Sequence, residues 1–296
     1  MIKILFFILF SLFSFSCLAT TPKTFGISFD QVVGLQPSEI KQALEGYDWK
    51  ILHSLYQQHV EVTQWSDKPR IPKIIHHIWL GSPLPEKYKL LRETWKKHHP
   101  GWTFMLWTDK EVENFVLANK HLYDETDNYG VKSDIARYEI LYRLGGLYVD
   151  TDFECFRSFD LFHHCYHFYA GAAARESVVI YNGLIGAAPG HPIMKFCIDN
   201  LASNEGKKES VQEIDNRTGP CFFTVCFFSN ILKCCGPLVI FPANYFYPWP
   251  HYVRDQNSRE EILAWVRPET FAVHHWHVSW LKKPVLSSEA YRRGPE

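Results

Sequence analysis

Residues 133–152 read SDIARYEILYRLGGLYVDTD, and this stretch decides the fold. Apolar residues recur at helical spacing as far as Leu144, and Ser133 is one of the residue types that cap helix N-termini. Gly145 and Gly146 provide the stop that commonly ends a helix. The pattern therefore predicts a helix that is capped by Ser133 and ended by the glycine pair.

The three residues after the glycines, 147–149, are apolar and predict a short buried strand. Asp150 and Asp152 follow it, at the C-terminal end of a strand, where open α/β sheets place their ligands. Residues i and i+2 of a regular strand point to the same side, so the two carboxylates can converge on one divalent cation and its bound phosphate oxygens. An Asp-x-Asp pair alone is not specific, and its context carries the interpretation.

That context resembles the Asp-x-Asp region of sugar-nucleotide glycosyltransferases, in the family that includes the yeast-type initiating α-mannosyltransferases and the inositol-phosphoceramide mannosyltransferases. The family pattern of Ser-Asp, Arg, Leu, Gly-Gly, Tyr and Asp-x-Asp is matched by Ser133, Asp134, Arg137, Leu144, Gly145, Gly146, Tyr148, Asp150 and Asp152. The resemblance implies an α/β, GT-A-like (Rossmann-like) fold, in which helices flank a mainly parallel sheet. It also implies transfer of a sugar from a nucleotide donor to a hydroxyl acceptor with retention of configuration.

The resemblance assigns roles to the charged residues of this stretch. Asp150 and Asp152 would hold Mn2+ or Mg2+, and Asp150 would also bind the donor. Asp134 and Arg137 are three residues apart, so they lie on one helix face and can act together. The resemblance implies that this pair grips the hydroxyls of the donor sugar as part of the catalytic site; an intrahelical ion pair without catalytic function is the alternative.

Residues 73–81 form a second matching segment, and their continuous apolar character predicts a buried strand. It resembles the first strand of the family, which implies that Ile78, Trp79 and Gly81 line the base and ribose of the donor. His76 and His77 are more readily explained as structural histidines.

Residues 181–187 resemble the family's segment that faces the donor sugar, and Asn182 is its candidate catalytic residue. An asparagine before a glycine is equally typical of a turn, so a purely structural role stays open. Residues 218–220 also match the family, and they precede a predicted buried helix at 221–232.

The C-terminal segment 271–280, FAVHHWHVSW, resembles the closing His-His-Trp and Ser-Trp signature of the family. Alternation along a regular strand would place His275 and His277 on one side. Imidazole suits manganese, so these two histidines are candidate metal ligands that complete the Asp-x-Asp site, with a core role as the alternative. Trp280 is a candidate donor-binding residue.

Composition narrows the class of partner. The chain has 296 residues and a formal net charge of -1 from 31 basic and 32 acidic side chains, so we expect no general affinity for nucleic acid. The length suits one large α/β domain. Alternating strand and helix patterns predict the mainly parallel sheet. The predicted strands are 73–81, 102–107, 147–149, 167–171 and 238–242.

The N-terminal residues 1–19 have the pattern of a targeting segment, with Lys3, an apolar run at 4–15 and a small-x-small site that ends at Ala19. We expect a cleaved signal peptide, with a short signal-anchor and membrane association as the alternative. Residues 20–69 are predicted to form an N-terminal extension, and residues 70–296 a single GT-A-like catalytic domain. Such targeting predicts export, or the lumen of a Golgi-like compartment with a membrane anchor.

The family resemblance favours GDP-mannose as donor, with UDP-galactose or UDP-N-acetylglucosamine as the alternative. The acceptor would be a hydroxyl of a glycan, a glycolipid or a protein. Two other classes remain open. A haloacid-dehalogenase-like phosphatase also has Asp-x-Asp, but usually on its first strand and with Thr or Val where this chain has Glu154. A sugar-binding protein without turnover is the other.

Overall fold

The computed structural model describes residues 46–62, 65–174, 178–205, 210–255, 257–277 and 279. The predicted targeting segment at 1–19 and the candidate donor-binding residue Trp280 lie outside these residues. Within the described ranges, every helix is too short or too polar to cross a lipid bilayer.

Helices and strands alternate through most of the chain. The strands are β1 (Ile74–Ile78), β2 (Thr103–Trp107), β3 (Gly146–Val149), β4 (Phe153–Cys155), β5 (Phe168–Ala174), β6 (Val178–Ala187), β7 (Leu238–Phe241) and β8 (Ala272–His274). The α-helices are α1 (Tyr47–Val62), α2 (Glu86–His98), α3 (Asp109–Phe115), α4 (Lys120–Glu125), α5 (Tyr129–Leu144), α6 (Asp160–Cys165), α7 (Pro192–Asn200), α8 (Val211–Arg217), α9 (Pro220–Asn230), α10 (Ala243–Phe246) and α11 (Arg259–Ala264). Two 3₁₀ turns lie at Ile231–Lys233 and His251–Val253.

In the described part of the chain, the central sheet has six strands in the order β2-β1-β3-β6-β5-β7. The pairs β1–β2, β1–β3 and β5–β7 are parallel. Strand β6 runs antiparallel to both of its neighbours, β3 and β5. A small antiparallel sheet joins β4 to β8. The predicted α/β class, with a mainly parallel sheet flanked by helices, is confirmed.

Strand β3 lies inside the sheet between β1 and β6, and all of its residues are buried. The strand follows α5 through the predicted glycine stop, and the backbone explains it: φ is +63° at Gly145 and +106° at Gly146. A Cβ at Gly146 would lie 2.7 Å from the carbonyl oxygen of Ile74, so the close approach of β1 also requires glycine. Helix, glycines and strand thus deliver Asp150 to the C-terminal edge of the sheet.

The predicted N-cap of the central helix is wrong, because α5 begins four residues before Ser133, at Tyr129. Asn128 is the N-cap, and its side chain accepts hydrogen bonds from the N–H groups of Gly130 and Val131. Ser133 therefore lies in the second turn. There its hydroxyl is 3.2 Å from the Tyr148 hydroxyl instead of capping the helix.

Helix α1 packs against the edge strand β7. Trp49 and Leu52 are buried in this contact, and the hydroxyls of Tyr56 and Tyr245 are 3.1 Å apart. The helical part of the predicted extension is therefore attached to the same core as the sheet. The domain boundary at residue 70 stays a prediction.

His76 on β1 is held in one uncharged form by its two neighbours. The Trp107 indole N–H donates to its Nδ1 over 3.1 Å, and its Nε2 lies 2.8 Å from the Gly145 carbonyl oxygen, to which it donates. Burial lowers the pKa of His76 to about 4, although the bond to Gly145 acts in the opposite direction. Protonation would place a hydrogen on Nδ1 of His76, where it would face the Trp107 N–H and break that hydrogen bond.

We expect the free energy of unfolding to decrease as the pH falls below about 6.5, because the unfolded chain takes up the proton that buried His76 refuses. The difference in unfolding free energy between the wild-type protein and His76→Gln, which cannot titrate, should shrink by on the order of 1–2 kcal/mol between pH 7 and pH 5. Urea unfolding at both pH values measures it. A difference that does not depend on pH would contradict the assignment of His76 as neutral.

Candidate active site

A cavity of about 450 Å³ opens beside the C-terminal end of β3. Most of the candidate site residues line it: Ile78, Trp79, Gly81, Asp134, Arg137, Asp150, Asp152, Asn182 and His277. His275 lines a neighbouring cavity instead. The sheet thus gathers residues from distant parts of the sequence at one edge.

Asp150, Asp152 and His274 form a compact group in this cavity, in which one ligand atom from each lies within 4.8 Å of the others. The Nε2 atom of His274 is 3.0 Å from Asp152 Oδ1 and 3.9 Å from Asp150 Oδ2. Within the described ranges, this is the group of acidic, histidine and cysteine side chains that is arranged to hold a metal ion. Two carboxylates and one imidazole are donors that suit Mn2+ and related divalent cations.

The ring of His274 is held by packing. It stacks on Phe153, with the ring centroids 4.4 Å apart and the planes 10° from parallel, and Trp276 contacts it at 4.2 Å. Its second nitrogen, Nδ1, is buried without a hydrogen-bond partner in the described part of the chain. The ring orientation is therefore set by aromatic neighbours.

Asp152 is bound to the C-terminal segment by more than its contact with His274. The backbone N–H of His277 donates to Asp152 Oδ2 over 2.7 Å, and the N–H of His275 donates to the carbonyl oxygen of Asp152 over 3.0 Å. Burial favours the neutral acid, but His274 and the His277 N–H outweigh it and hold the pKa of Asp152 below its usual range. Asp152 is thus a carboxylate at neutral pH.

The C-terminal segment departs from the regular strand on which the ligand prediction for His275 and His277 depended. Strand β8 ends at His274, and Trp276 has a positive φ of 54°. His275 Nε2 lies 3.4 Å from Glu154 Oε2, on the side of the neighbouring cavity. The position adjacent to Asp150 and Asp152 is occupied by His274, one residue before the pair chosen from the sequence.

Arg137 connects the helix to the acidic pair. Its guanidinium lies 3.1 Å from Asp134 Oδ1 and 3.4 Å from Asp150 Oδ1, and it packs over the Tyr148 ring at 4.4 Å. It also donates to the carbonyl oxygen of Asn182 over 2.7 Å. The Tyr148 hydroxyl donates to Asp150 Oδ1 over 2.6 Å. Burial raises the pKa of Asp150 above its ordinary value, although Arg137 opposes this effect.

Asp134 is the centre of a second buried network. It accepts hydrogen bonds from Asn182 Nδ2 over 2.9 Å and from the Thr218 hydroxyl over 2.8 Å. The Asn182 amide also donates to the Tyr138 hydroxyl over 3.0 Å. Burial raises the pKa of Asp134 to about 7, while Arg137 and Thr218 lower it. The structure therefore brings Asp134, Arg137 and Asn182 together as one bonded unit.

The wall of the cavity that is predicted to hold the base contains the rings of Trp79 and Tyr129. The N–H of Gly81 donates to Asp109 Oδ2 over 2.8 Å, and the Trp79 indole donates to the Ser82 hydroxyl over 3.1 Å. Gly81 has a φ of +76°, and a Cβ there would overlap the Tyr129 ring. Ile78 ends β1 at the same wall.

Sequence reasoning missed three features of the site. The sequence analysis did not choose His274, and it matched Thr218 and Gly183 to the family without giving either a role. A Cβ at Gly183 would lie 2.7 Å from Asp150 Oδ2, and the Gly183 carbonyl oxygen accepts a hydrogen bond from the Asp150 N–H over 2.8 Å. The His-His-Trp-His run at residues 274–277 was the signal available in the sequence.

Part of this chain matches a known protein family. Residues 85–168 match the family described as glycosyltransferase sugar-binding region containing DXD motif. The matched segment includes Asp134, Arg137 and the Asp150–Asp152 pair. The resemblance to DXD glycosyltransferases is therefore confirmed.

Part of the chain is also similar to curated proteins. It is 29% identical over 182 residues to inositol phosphoceramide mannosyltransferase 1 of Schizosaccharomyces pombe, which covers 59% of this chain and 56% of that protein. It is 33% identical over 135 residues to inositol phosphoceramide mannosyltransferase 3 of the same yeast, covering 44% of this chain and 37% of that protein. The chain thus spans at most a little over half the length of these relatives. A solved structure titled PaToxG Glycosyltransferase aligns over 65% of this chain and 79% of its own, with 21% identity and a TM-score of 0.46.

Replacing Arg137 should strongly destabilise the fold. Arg137→Met leaves Asp134 buried opposite no cation, so we expect a loss of about 3–5 kcal/mol in unfolding free energy. The double variant Arg137→Met/Asp134→Asn should regain on the order of 1–3 kcal/mol, because the unpaired charge of Asp134 is removed. Lys89→Met, which removes an exposed cation, is the control and should change stability by less than about 0.5 kcal/mol. Equal stability of single and double variants would show that the pair is not coupled.

Proposed function

We propose that this protein is a metal-dependent glycosyltransferase that moves a sugar from a nucleotide donor to a hydroxyl acceptor with retention of configuration. The observation that carries the proposal is that the Asp150–Asp152–His274 group and the Asp134–Arg137 pair open into the same cavity. The first can hold a cation and the second can hold a polar sugar. The DXD match over residues 85–168, which include Asp134, Arg137, Asp150 and Asp152, supports it.

Asp150, Asp152 and His274 would hold Mn2+ or Mg2+. The cation supplies charge neutralisation to a nucleoside diphosphate leaving group. The residues present fit it, because Asp152 is ionised, His274 is fixed by its aromatic neighbours, and the ligand atoms converge. The sequence-based assignment of His275 or His277 as ligand is kept as the alternative that a metal titration decides.

Asp134, Arg137 and Asn182 would bind and orient the donor sugar. Their side chains line the cavity beside the acidic pair, and they are fixed in advance by the bonds that join them. Such preorganisation saves ordering cost when the sugar binds. Arg137, between Asp134 and Asp150, would hold the sugar hydroxyls close to the diphosphate.

For the reaction itself, we propose attack by the acceptor hydroxyl on the face from which the diphosphate departs. The bond from the sugar C1 to the new oxygen forms as the bond from C1 to the phosphate oxygen breaks. The proton of the acceptor hydroxyl passes to the leaving diphosphate. This sequence of bond changes retains the configuration without a covalent enzyme intermediate.

For the donor, we propose GDP-mannose, because the relatives named above are mannosyltransferases. UDP-galactose and UDP-N-acetylglucosamine are the alternative donors. Ile78, Trp79 and Gly81 would contact the base and ribose from the aromatic wall, with Trp280 as a further candidate. The acceptor would be a glycan, glycolipid or protein hydroxyl, and we place the enzyme in the secretory pathway, secreted or anchored to a membrane by its N-terminal segment.

We expect release of nucleoside diphosphate from one sugar nucleotide of a panel that contains GDP-mannose, UDP-galactose and UDP-N-acetylglucosamine, assayed with manganese. Activity should disappear in excess chelator and in Asp152→Asn, while far-UV circular dichroism shows that this variant still folds. Full activity in excess chelator would show that the enzyme does not require a metal ion. Saturable binding of a sugar without any release would identify a sugar-binding protein instead.

His274→Ala should weaken manganese affinity by on the order of 10- to 100-fold, as loss of even a supporting residue does at metal sites. The expected cause is the removal of one of three converging ligand atoms. Titration calorimetry with manganese measures it, and His275→Ala is the matched neighbour. Normal affinity in His274→Ala with a large loss in His275→Ala or His277→Ala would restore the assignment made from the sequence.

A further inference from the structure

Thr218 is a buried residue at the junction of helices α8 and α9, outside the set of residues that line the cavity beside β3. Four of its neighbours in sequence do line this cavity: Ile214, Asp215, Gly219 and Pro220. A substrate in the cavity therefore does not contact Thr218. An effect of Thr218 on the reaction has to pass through another residue.

The hydroxyl of Thr218 holds one side of the Asp134 carboxylate. It donates to Asp134 Oδ2 over 2.8 Å. The other oxygen, Oδ1, accepts from Asn182 Nδ2 over 2.9 Å and lies 3.1 Å from the Arg137 guanidinium. Rotation of the carboxylate would break hydrogen bonds on both sides. Thr218 thus fixes which oxygen of Asp134 faces Arg137.

Thr218 and Asp134 also belong to a closed ring of hydrogen bonds. The carbonyl oxygen of Thr218 accepts from the Tyr138 hydroxyl over 2.7 Å, and this hydroxyl accepts from Asn182, which bonds back to Asp134. All four residues are at most 6% exposed. Because bonded polar groups polarise one another in a buried network, removal of one member affects the others. The Thr218 hydroxyl is therefore held in place before any ligand binds.

The charge of Asp134 depends on the same bond. Burial raises the pKa of Asp134 to about 7, with a smaller contribution from Asp150 and Asp215, whereas Arg137 and the Thr218 hydroxyl lower it. Without this hydroxyl, Oδ2 would be buried without its donor, and a larger fraction of Asp134 would be neutral at pH 7. A neutral Asp134 attracts Arg137 less, so the pair would lose part of its fixed geometry.

We propose that Thr218 is a positioning residue of the donor-sugar site, which holds Asp134, and through it Arg137, in the arrangement that binds the sugar hydroxyls. The inference rests on the proposed transferase function. In the described part of the chain, the hydrogen bonds of Thr218 lie within this ring or within helix α8. Loss of its hydroxyl should therefore weaken binding of the sugar much more than binding of the nucleotide.

Substitutions that differ in the hydroxyl test the proposal. Thr218→Val removes the hydroxyl at nearly the same size, and Thr218→Ser keeps it. Thr218→Ala, which removes the hydroxyl without adding a methyl group beside Asp134, replaces the valine variant if that one does not fold. Thr224→Val is the matched control, because Thr224 lies on helix α9 and its hydroxyl bonds to backbone groups of Pro220 and Ile180.

Titration calorimetry with manganese compares each sugar nucleotide with the nucleoside diphosphate that lacks the sugar. The pairs are GDP-mannose with GDP, UDP-galactose with UDP, and UDP-N-acetylglucosamine with UDP. We expect Thr218→Val to weaken binding of the sugar nucleotide by on the order of 10-fold, the loss of one hydrogen bond, without a change for the diphosphate. Thr218→Ser should restore the affinity for the sugar nucleotide. Thr224→Val should bind both ligands like the wild type, even if it melts earlier.

Three results would overturn the positioning role. Equal weakening of the sugar nucleotide and the diphosphate in Thr218→Val would show a structural role alone. Unchanged binding of both ligands would show that the hydroxyl does not act on the sugar. Binding of the sugar nucleotide that is as weak in Thr218→Ser as in Thr218→Val would show that the hydroxyl is not the group responsible.

Melting temperatures separate a failure of this proposal from a failure of the proposed function. Shifts for Thr218→Val and Asp134→Asn that add up in the double variant would overturn the coupling of Thr218 to Asp134, and with it the proposal. A double-variant shift smaller than the sum, in a protein that binds no sugar nucleotide, would support the coupling and overturn the transferase function.

Discussion

The attachment of Asp152 to residues 274–277 is the constraint on which the rest of the site depends. Asp152 accepts from His274 and from the His277 N–H through its carboxylate, and from the His275 N–H through its backbone. These bonds join positions more than a hundred residues apart in sequence. They hold the chain that follows the paired strands β4 and β8, and with it His277, which lines both cavities.

The charged side chains in the cavity beside β3 are already paired with one another. Arg137 lies between Asp134 and Asp150, and its planar guanidinium also packs on Tyr148. A lysine would not reproduce this geometry, because its point charge cannot contact several partners and a ring face at the same time. Asp150 keeps an elevated pKa and Asp152 a depressed one, so the two adjacent carboxylates differ in their readiness to carry charge. A divalent cation would stabilise the charged form of both.

The sequence predicted the parts of this structure that are set by local patterns. The glycine stop, the buried strand β3 and the α/β class follow from periodicity and backbone sterics. The proximity of Asp134 and Arg137 follows from their spacing, and their place beside Asp150 was implied by the family resemblance. The N-cap was misplaced because serine is a residue type that often caps helices. The structure instead gives Asn128 the extended backbone of an N-cap, and its side chain accepts from the N–H groups of Gly130 and Val131.

His274 could not be chosen from the sequence. That choice depends on where β8 ends and on the positive φ of Trp276, which breaks the alternation. The pairing partner of Thr218 was equally hidden, because its hydroxyl reaches Asp134 on a helix 84 residues away in the chain. Local patterns carry little information about such long-range contacts.

The antiparallel direction of β6 determines how one side of the cavity beside β3 is built. Because β6 runs antiparallel to β3, Asn182 and Gly183 reach the C-terminal edge of β3 from within a strand instead of from a loop, and the Gly183 carbonyl oxygen accepts from the Asp150 N–H there. The side of the cavity formed by Asn182 and Gly183, its floor, thus belongs to a strand of the central sheet. Another side, its wall, is the short turn around Trp276. Opening of the wall therefore need not disturb the floor.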